Sequence, residues 1–173
     1  MSFPVPVDAR AEGDFTVVRG TNEMIRENLP LFDETLPVDQ GEWMKRVDDA
    51  GVTKAGKLVT AVDTNAAPAL GARVSWTKYR QNDSSNGQSD ALATKSVDLL
   101  SGAYQAKTKL YNTGAGALLA PGNLVMAIFD ATQAGGILDP IDPAAATVRQ
   151  LQAAVGRIIN VAAGVMHYEA LGL

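Results

Sequence analysis

Polar and apolar residues alternate with a period of two through much of the chain between residues 42 and 130. In "GARVSWTKYRQ" the apolar positions are Ala72, Val74 and Trp76, with polar residues between them. The stretch "YQAKTKLY", residues 104–111, shows the same alternation, which is typical of a half-buried β-strand. The run "NLVMAIFD", residues 123–130, is apolar on both faces and indicates a central, buried strand.

Clusters of turn-forming residues separate these runs, among them "DDAG", "LLSG", "NTGAG", "APGN" and "QAGG". "DFTVVRG", residues 14–20, predicts a further short strand. "RIINV" and "VMHYEAL" predict a closing hairpin that turns at Ala163 and Gly164. The sequence therefore predicts a mainly β fold, an antiparallel sandwich or a partly closed barrel.

Two stretches carry helix signals. "TNEMIRENLP", residues 21–30, predicts one or two helical turns, with Thr21 as the N-cap and Pro30 as the stop. In "DPAAATVRQLQAAVG", Asp142 can cap a helix that Gly156 can end, with an apolar stripe at Val148, Leu151 and Val155. An alanine-rich loop fits this second stretch equally well, so the sequence leaves undecided whether the C-terminal half contains one short helix.

Residues 1–13 predict an extended N-terminal arm ahead of a single β-rich domain at 14–173. Proline favours extended backbone and cannot donate a hydrogen bond inside a sheet. Apolar side chains on such an arm either fold back on their own domain or lie on a neighbouring subunit, while a frayed terminus is the alternative. The predicted interface residues of the arm are Phe3, Pro4, Val5, Pro6 and Val7.

The amino-acid composition excludes several classes of function. The 173 residues are 46% apolar and 20% charged, as in an ordinary globular domain. A net charge of −4 argues against tight binding to nucleic acid, which needs a basic surface. The chain has no cysteine, which excludes disulfides, thiolate chemistry and cysteine zinc sites. No secretion signal is evident, and no apolar run approaches the roughly 20 residues of a membrane span.

"GVTKAGKL", residues 51–58, matches the phosphate-binding loop G-x-x-x-x-G-K-[ST] except at Leu58, its last position. Leucine has no oxygen for magnesium, and the following "VTAV" favours a strand where a nucleotide site requires a helix. We interpret the stretch as a turn entering a strand, with Leu58 as the first apolar residue of that strand. A nucleotide hydrolase is the rival interpretation.

Three other features offer weaker chemistry. Gly114 and Gly116 lack the third glycine of a dinucleotide fingerprint and indicate a loop. "QNDSSNGQSD", residues 81–90, does not fit the EF-hand calcium loop. Counted from Asp83, the twelfth position is Thr94, where the pattern requires glutamate. The stretch indicates a polar hairpin tip.

His167 is the only histidine. If Met166 and Tyr168 face the core, His167 lies on the surface with Glu169. A Ser-His-Asp triad stays open, although the chain has no nucleophile-elbow pattern. The sequence predicts no catalytic residue, no cofactor and no metal site.

Four motifs follow one another in the second half of the chain. The first is a small-residue turn followed by Tyr104, Thr108 and Tyr111, and the second is a turn into an apolar strand at 121–124. The third is a Gly-x-Leu turn at 136–138, and the fourth is a pair of strands at 155–158 and 164–171. Over residues 96–173, this order resembles the small capsid decoration, or cement, proteins of tailed bacteriophages.

The resemblance implies a β-rich, non-enzymatic virion protein made in the host bacterial cytoplasm. Such proteins bind the outer surface of the phage head as dimers or trimers and clamp neighbouring major capsid protein subunits through many repeated weak contacts. No cofactor, nucleic acid or membrane contact is implied. Two alternatives stay open: another virion component, such as a head-fibre base or tail protein, and a small-ligand-binding or hydrolytic β-domain that uses His167 or the 81–90 loop.

Overall fold

The computed structural model describes residues 15–21, 23–36, 38–59, 71–76, 95–132 and 135–172. These residues form two antiparallel sheets of six and five strands, an arrangement consistent with a β-sandwich. The predicted mainly β fold is confirmed. The predicted arm at 1–13, with its interface residues 3–7, and the loop at 81–90 lie outside the described residues.

The six-stranded sheet contains, in spatial order, β1 (Phe15–Gly20), β7 (Tyr104–Thr108), β11 (Val165–Ala170), β10 (Ala154–Ala162), β8 (Leu124–Asp130) and β9 (Gly135–Pro140). The prediction of β8 as a buried strand is confirmed, since residues 125–128 are buried, but β8 lies next to the edge strand β9 and not at the centre of the sheet. Ala162 pairs with Val165, and Ala163 and Gly164 have φ angles of 52° and 74°. Two positive φ angles in a two-residue turn are typical of a type I′ hairpin, so the predicted closing hairpin is confirmed.

The five-stranded sheet contains, in spatial order, β2 (Ile25–Pro30), β6 (Ser96–Ser101), β5 (Arg73–Ser75), β3 (Trp43–Asp49) and β4 (Val52–Lys57). Just after β2, Leu31 forms a parallel bridge with Ala55 of β4, and the Phe32 amide donates to the Ala55 carbonyl at 2.9 Å. Because β2 and β4 are the edges of this sheet, the bridge partly closes it. A small core lies on its inner face: Leu29, Leu31, Val38, Met44, Ala55, Val97 and Leu99.

A larger core joins the two sheets. Trp43, Val74 and Leu100 of the five-stranded sheet share one buried cluster with Tyr104 and Tyr168 of the other sheet. A Cβ atom at Gly136 would overlap the Trp43 carbonyl, so β9 and β3 approach more closely than a side chain would allow. The predicted alternation holds in β7, where Tyr104 is buried and Lys107 is exposed. It fails at Ser75, which is completely buried although the alternation places it on the polar face.

The helical prediction for residues 21–30 is wrong. Ile25–Pro30 is strand β2, which pairs residue for residue with β6, from Ile25 opposite Ser101 to Pro30 opposite Ser96. A helix of one or two turns is unstable by itself, so cross-strand pairing determines the conformation here.

The second helical stretch is shorter than the sequence suggests. Helix α1 spans only Val148–Gln152, and its N-cap is Thr147, not Asp142. Thr147 and Gln150 form a reciprocal capping box, and β10 begins at Ala154. The predicted apolar stripe is wrong, because Val148 is 71% exposed and Leu151 is 47% exposed.

Candidate functional site

The stretch that resembles a phosphate-binding loop forms the β3–β4 hairpin. Ala50 and Gly51 occupy its turn with φ angles of 53° and 83°, and Asp49 pairs with Val52. Gly56 lies within β4, opposite Lys45. Backbone amides in an extended ladder cannot converge on a phosphate as they do at a helix start. The interpretation as a turn entering a strand is confirmed, but the strand begins at Val52 and ends before Leu58.

Lys57, the lysine of that stretch, belongs to a buried ion pair. Its Nζ lies 3.2 Å from Oε1 of Glu42, and the two side chains are 11% and 4% exposed. Among the described residues Oε1 accepts no aligned hydrogen bond, and the attraction to Lys57 is mainly Coulombic. Oε2 accepts from the Asp39 amide at 3.0 Å. Burial raises the pKa of Glu42, and the Lys57 charge opposes that rise. The pair is a structural element of the sheet interface.

The two glycines of the predicted loop at 114–116 lie in a 3₁₀ segment, Thr113–Leu118. Gly116 interrupts the segment with φ 57° and ψ −123°, a positive-φ conformation that glycine adopts without strain. The Asn112 side chain accepts from the Gly114 amide at 3.0 Å and donates to Asp139 at 2.8 Å. Burial raises the pKa of Asp139, and the bond from Asn112 opposes that effect. This segment fixes a connection between strands.

His167 lies on the outer face of β11, because Met166 and Tyr168 are completely buried on the inner face. The predicted facing is confirmed, but the ring is half-buried, and Nε2 is shielded with no hydrogen-bond partner among the described residues. Its cross-strand neighbours are Lys107 and Asn160. Neither neighbour is the acid or the serine of a triad.

Within the described residues, no three histidine, aspartate or glutamate side chains come together as metal ligands. The same part of the chain has no helix long and apolar enough to cross a membrane.

An open groove of about 840 Å³ lies at one end of the partly closed sheet. Its charged lining comes from different strands and connections: Glu23, Arg26, Glu27, Arg46 and Arg73. Arg46 of β3 donates to Glu27 of β2 at 3.0 Å, which joins two strands that do not pair with each other. Arg26 donates from Nε to the buried Asp98 at 2.8 Å. The groove therefore presents guanidinium groups that already pair with carboxylates.

A smaller cavity of about 50 Å³ adjoins the groove and shares with it the wall formed by Arg73, Ser101 and Gly102. Trp43 and Tyr104 also line this cavity. Trp43 is 3% exposed, and its Nε1 has no hydrogen-bond partner among the described residues. Burial raises the pKa of Tyr104, and the hydrogen bond with the Tyr168 hydroxyl and, after it, the charge of Arg73 oppose that rise.

A close backbone contact between Gly102 and Glu23 holds the wall that the groove and the smaller cavity share. A Cβ atom at Gly102, whose φ angle is 81°, would overlap the Glu23 carbonyl. Nearby, the Thr21 hydroxyl donates to the Ala103 carbonyl at 2.6 Å. Sequence reasoning missed both openings, because Trp43, Arg73 and Tyr104 are far apart in the chain and only strand pairing brings them together.

No protein-family model matches this chain. No curated protein and no solved structure is significantly similar to it either. Its function is therefore inferred from its own residues and geometry.

The four motifs of the second half lie in buried or strand-paired parts of the fold. Tyr104, Thr108 and Tyr111 are all buried. The predicted turn at 136–138 is wrong, because these residues lie inside β9, paired with β8. The predicted pairing of 155–158 with 164–171 is confirmed by Gly156 opposite Ala170 and Ile158 opposite Tyr168. Together the motifs lie in or next to five neighbouring strands of the six-stranded sheet.

Proposed function

We propose that this protein is a capsid decoration protein, which binds the outer surface of a phage head and stabilises contacts between major capsid protein subunits. The observation that supports this most directly is the structural coherence of the resembling segment. Of the resembling segment, residues 96–173, the part from β7 onward supplies five neighbouring strands of one sheet, β7, β11, β10, β8 and β9, whereas β6 (Ser96–Ser101) at its start belongs to the other sheet. The motifs that carry the resemblance thus belong to one structural unit.

Exposed apolar side chains offer a contact surface for such a role. Val148 and Leu151, three residues apart on α1, are 71% and 47% exposed. Exposed apolar residues that lie together are typical of protein interaction sites. In the proposed function they contact the shell or a second copy of the chain in a dimer or trimer. The protein acts mechanically, without a catalytic residue or cofactor, after synthesis in the host bacterial cytoplasm.

Shell binding tests the role of α1. The double substitution V148S/L151S removes apolar area that is already in water, so we expect the free energy of unfolding to change little. If the helix contacts the shell, its affinity falls at least about tenfold. Val52→Ser is the matched control, because Val52 is 51% exposed and lies in β4 of the five-stranded sheet. Equal affinity of V148S/L151S and V52S would contradict the contact.

The arm provides a second test. Phe3, Val5 and Val7 are proposed to contact a neighbouring subunit because three apolar side chains alternate with prolines. Deletion of residues 2–12 should lower occupancy on purified shells, measured by quantitative gel analysis of sedimented particles. Unchanged occupancy would refute the arm contact.

Particle imaging separates decoration from another virion role. Density for the protein over the junctions between major capsid subunits supports decoration. Density confined to a head fibre or tail would favour the alternative.

A further inference from the structure

Within the described part of the chain, three of the four sheet edges are closed by the chain itself, wholly or in part. In the five-stranded sheet, the bridge between Leu31 and Ala55 joins the edge strands β2 and β4. In the six-stranded sheet, the edge strand β9 is covered at Leu138. The Leu138 amide donates to the Leu110 carbonyl at 3.0 Å, and its carbonyl accepts from the Asn112 amide at 2.8 Å. The fourth edge is the outer side of β1, which has no backbone partner among the described residues.

Strand β1 has little of the protection that an open edge usually carries. An open edge presents unpaired N–H and C=O groups to any other strand, and native proteins usually block it with proline, lysine, a bulge or a covering segment. β1 contains no proline and no lysine. It does contain a bulge at Val18, which has no partner in β7, and this apolar side chain is 49% exposed.

The bulge restricts the register in which a second copy of β1 can pair with this edge. Residues directly opposite each other in an antiparallel pair have their side chains on the same face of the sheet. Phe15 is buried and Gly20 lies opposite the buried Tyr104, so both belong to the inner face. Thr16 and Arg19 are exposed and belong to the outer face.

We propose that two copies of this chain dimerise through β1, with the strands antiparallel about a two-fold axis between residues 17 and 18. Phe15 then lies opposite Gly20 of the partner subunit, and Thr16 lies opposite Arg19 of the partner subunit, so the faces match. An axis through residue 17 would instead place the inner Phe15 opposite the outer Arg19. The proposed register sets no like charges opposite each other and joins two six-stranded sheets into one continuous sheet. The dimer does not depend on the proposed capsid role.

Sedimentation of the purified chain between about 1 µM and 1 mM measures the dimer. We expect a dissociation constant of about 10–100 µM, because a six-residue strand forms a small interface. Val18→Lys places two cations beside the axis and should raise that constant at least about tenfold. Val52→Lys is the matched control, because Val52 is 51% exposed on β4, and it should leave the constant unchanged. An equal effect of the two substitutions would overturn the proposal.

Cysteine cross-linking tests the register independently of the affinity, because the chain has no cysteine of its own. Thr16→Cys and Arg19→Cys are prepared separately, and both positions are exposed, so neither substitution disturbs the core. After mixing and oxidation we expect a disulfide-linked dimer in the mixture and little in either variant alone. Cross-linking of Thr16→Cys with itself, or none in the mixture, would overturn the proposed pairing.

Deletion of residues 2–12 distinguishes β1 from the preceding arm as the source of the contact. An unchanged dissociation constant supports pairing through β1. A deletion variant that no longer dimerises would identify the arm as the partner and overturn the proposal. A full chain that stays monomeric at about 1 mM would overturn it as well.

Discussion

Substitution of Lys57 by methionine should destabilise the fold through the carboxylate that it leaves behind. Nζ of Lys57 lies 3.2 Å from Glu42 Oε1, and the two side chains are 11% and 4% exposed. The methionine side chain fills similar space without a charge. Among the described residues, the Asp39 amide, 3.0 Å from Oε2, is then the one donor left to the buried Glu42 carboxylate. The same carboxylate occupies the space that a Cβ atom at Gly135 would need.

The expected cost at neutral pH is about 3–5 kcal/mol, the usual effect of removing one partner from a buried ion pair. The Glu42→Gln/Lys57→Met double variant buries no charge at this site. Its cost should therefore be smaller than the sum of the two single costs by about 2 kcal/mol. If the cause were only a loss of packing, the costs of Lys57→Met and of Glu42→Gln would add up to the cost of the double variant.

The cost of Lys57→Met should also depend on pH. Burial raises the pKa of Glu42 above its ordinary value of 4.5, and removal of the cation that opposes this effect raises it further. The folded state then binds a proton more tightly than the unfolded state does. The variant is consequently most stable below about pH 4.5 and loses stability as the pH rises through the folded-state pKa, by up to about 1.4 kcal/mol per pH unit.

Urea unfolding, followed by tryptophan fluorescence and linear extrapolation, measures these free energies at pH 5 and pH 7. The expected result is a variant whose deficit relative to the parent protein is smaller at pH 5 than at pH 7. A deficit below about 1 kcal/mol at pH 7, or additive single costs, would refute the argument that an uncompensated charge is the cause.

Other predictions concern packing, capping and tyrosine ionisation. Gly136→Ala should lower the free energy of unfolding, measured by thermal denaturation, by at least about 1–3 kcal/mol, because the new Cβ overlaps the Trp43 carbonyl. Gly20→Ala is the control and should be tolerated. Equal effects of the two substitutions would contradict the close approach of β9 and β3. Thr147→Ala removes the α1 capping box and should cost about 1 kcal/mol, with Thr147→Ser as the conservative control. Burial raises the pKa of both Tyr104 and Tyr168, so stability should fall as the pH rises above 10, and their phenolate absorbance should appear only with unfolding. Full tyrosine ionisation in the native state at pH 10–11 would contradict that prediction.

Much of the fold could be predicted from local sequence, where periodicity and turn chemistry agree. The alternation around Tyr104 and the turn at Ala163 and Gly164 are examples, because a strand of period two and a two-residue turn need only neighbouring residues. The missing hydroxyl at Leu58 correctly argued against a phosphate loop, but the strand lies before Leu58, at Val52–Lys57, and does not begin with it.

Local reasoning failed where distant pairing overrides short-range preference. Ile25–Pro30 has helix-compatible residues but is held by six consecutive pairs with β6. The helix at Val148–Gln152 is interrupted early because the residues from Ala154 onward pair with β8 and β11. Neither outcome can be derived from composition within a short window.

The cavity and groove could not be predicted for the same reason. Trp43, Arg73 and Tyr104 come from three strands in two sheets, and nothing in the intervening sequence marks them as neighbours. Strand register alone brings an indole donor, a guanidinium and a phenol to one cavity. The predicted arm interface at residues 3–7 depends on the partner surface and stays a prediction.

The central claim is tested most directly by cosedimentation of the purified protein with phage capsids that lack it, followed by imaging of the particles. The proposed function predicts saturable binding, with density on the outer surface over the junctions between major capsid subunits. It also predicts that decorated shells withstand heating or low salt better than bare shells do. Absence of the protein from the sedimented particles would contradict the capsid decoration role.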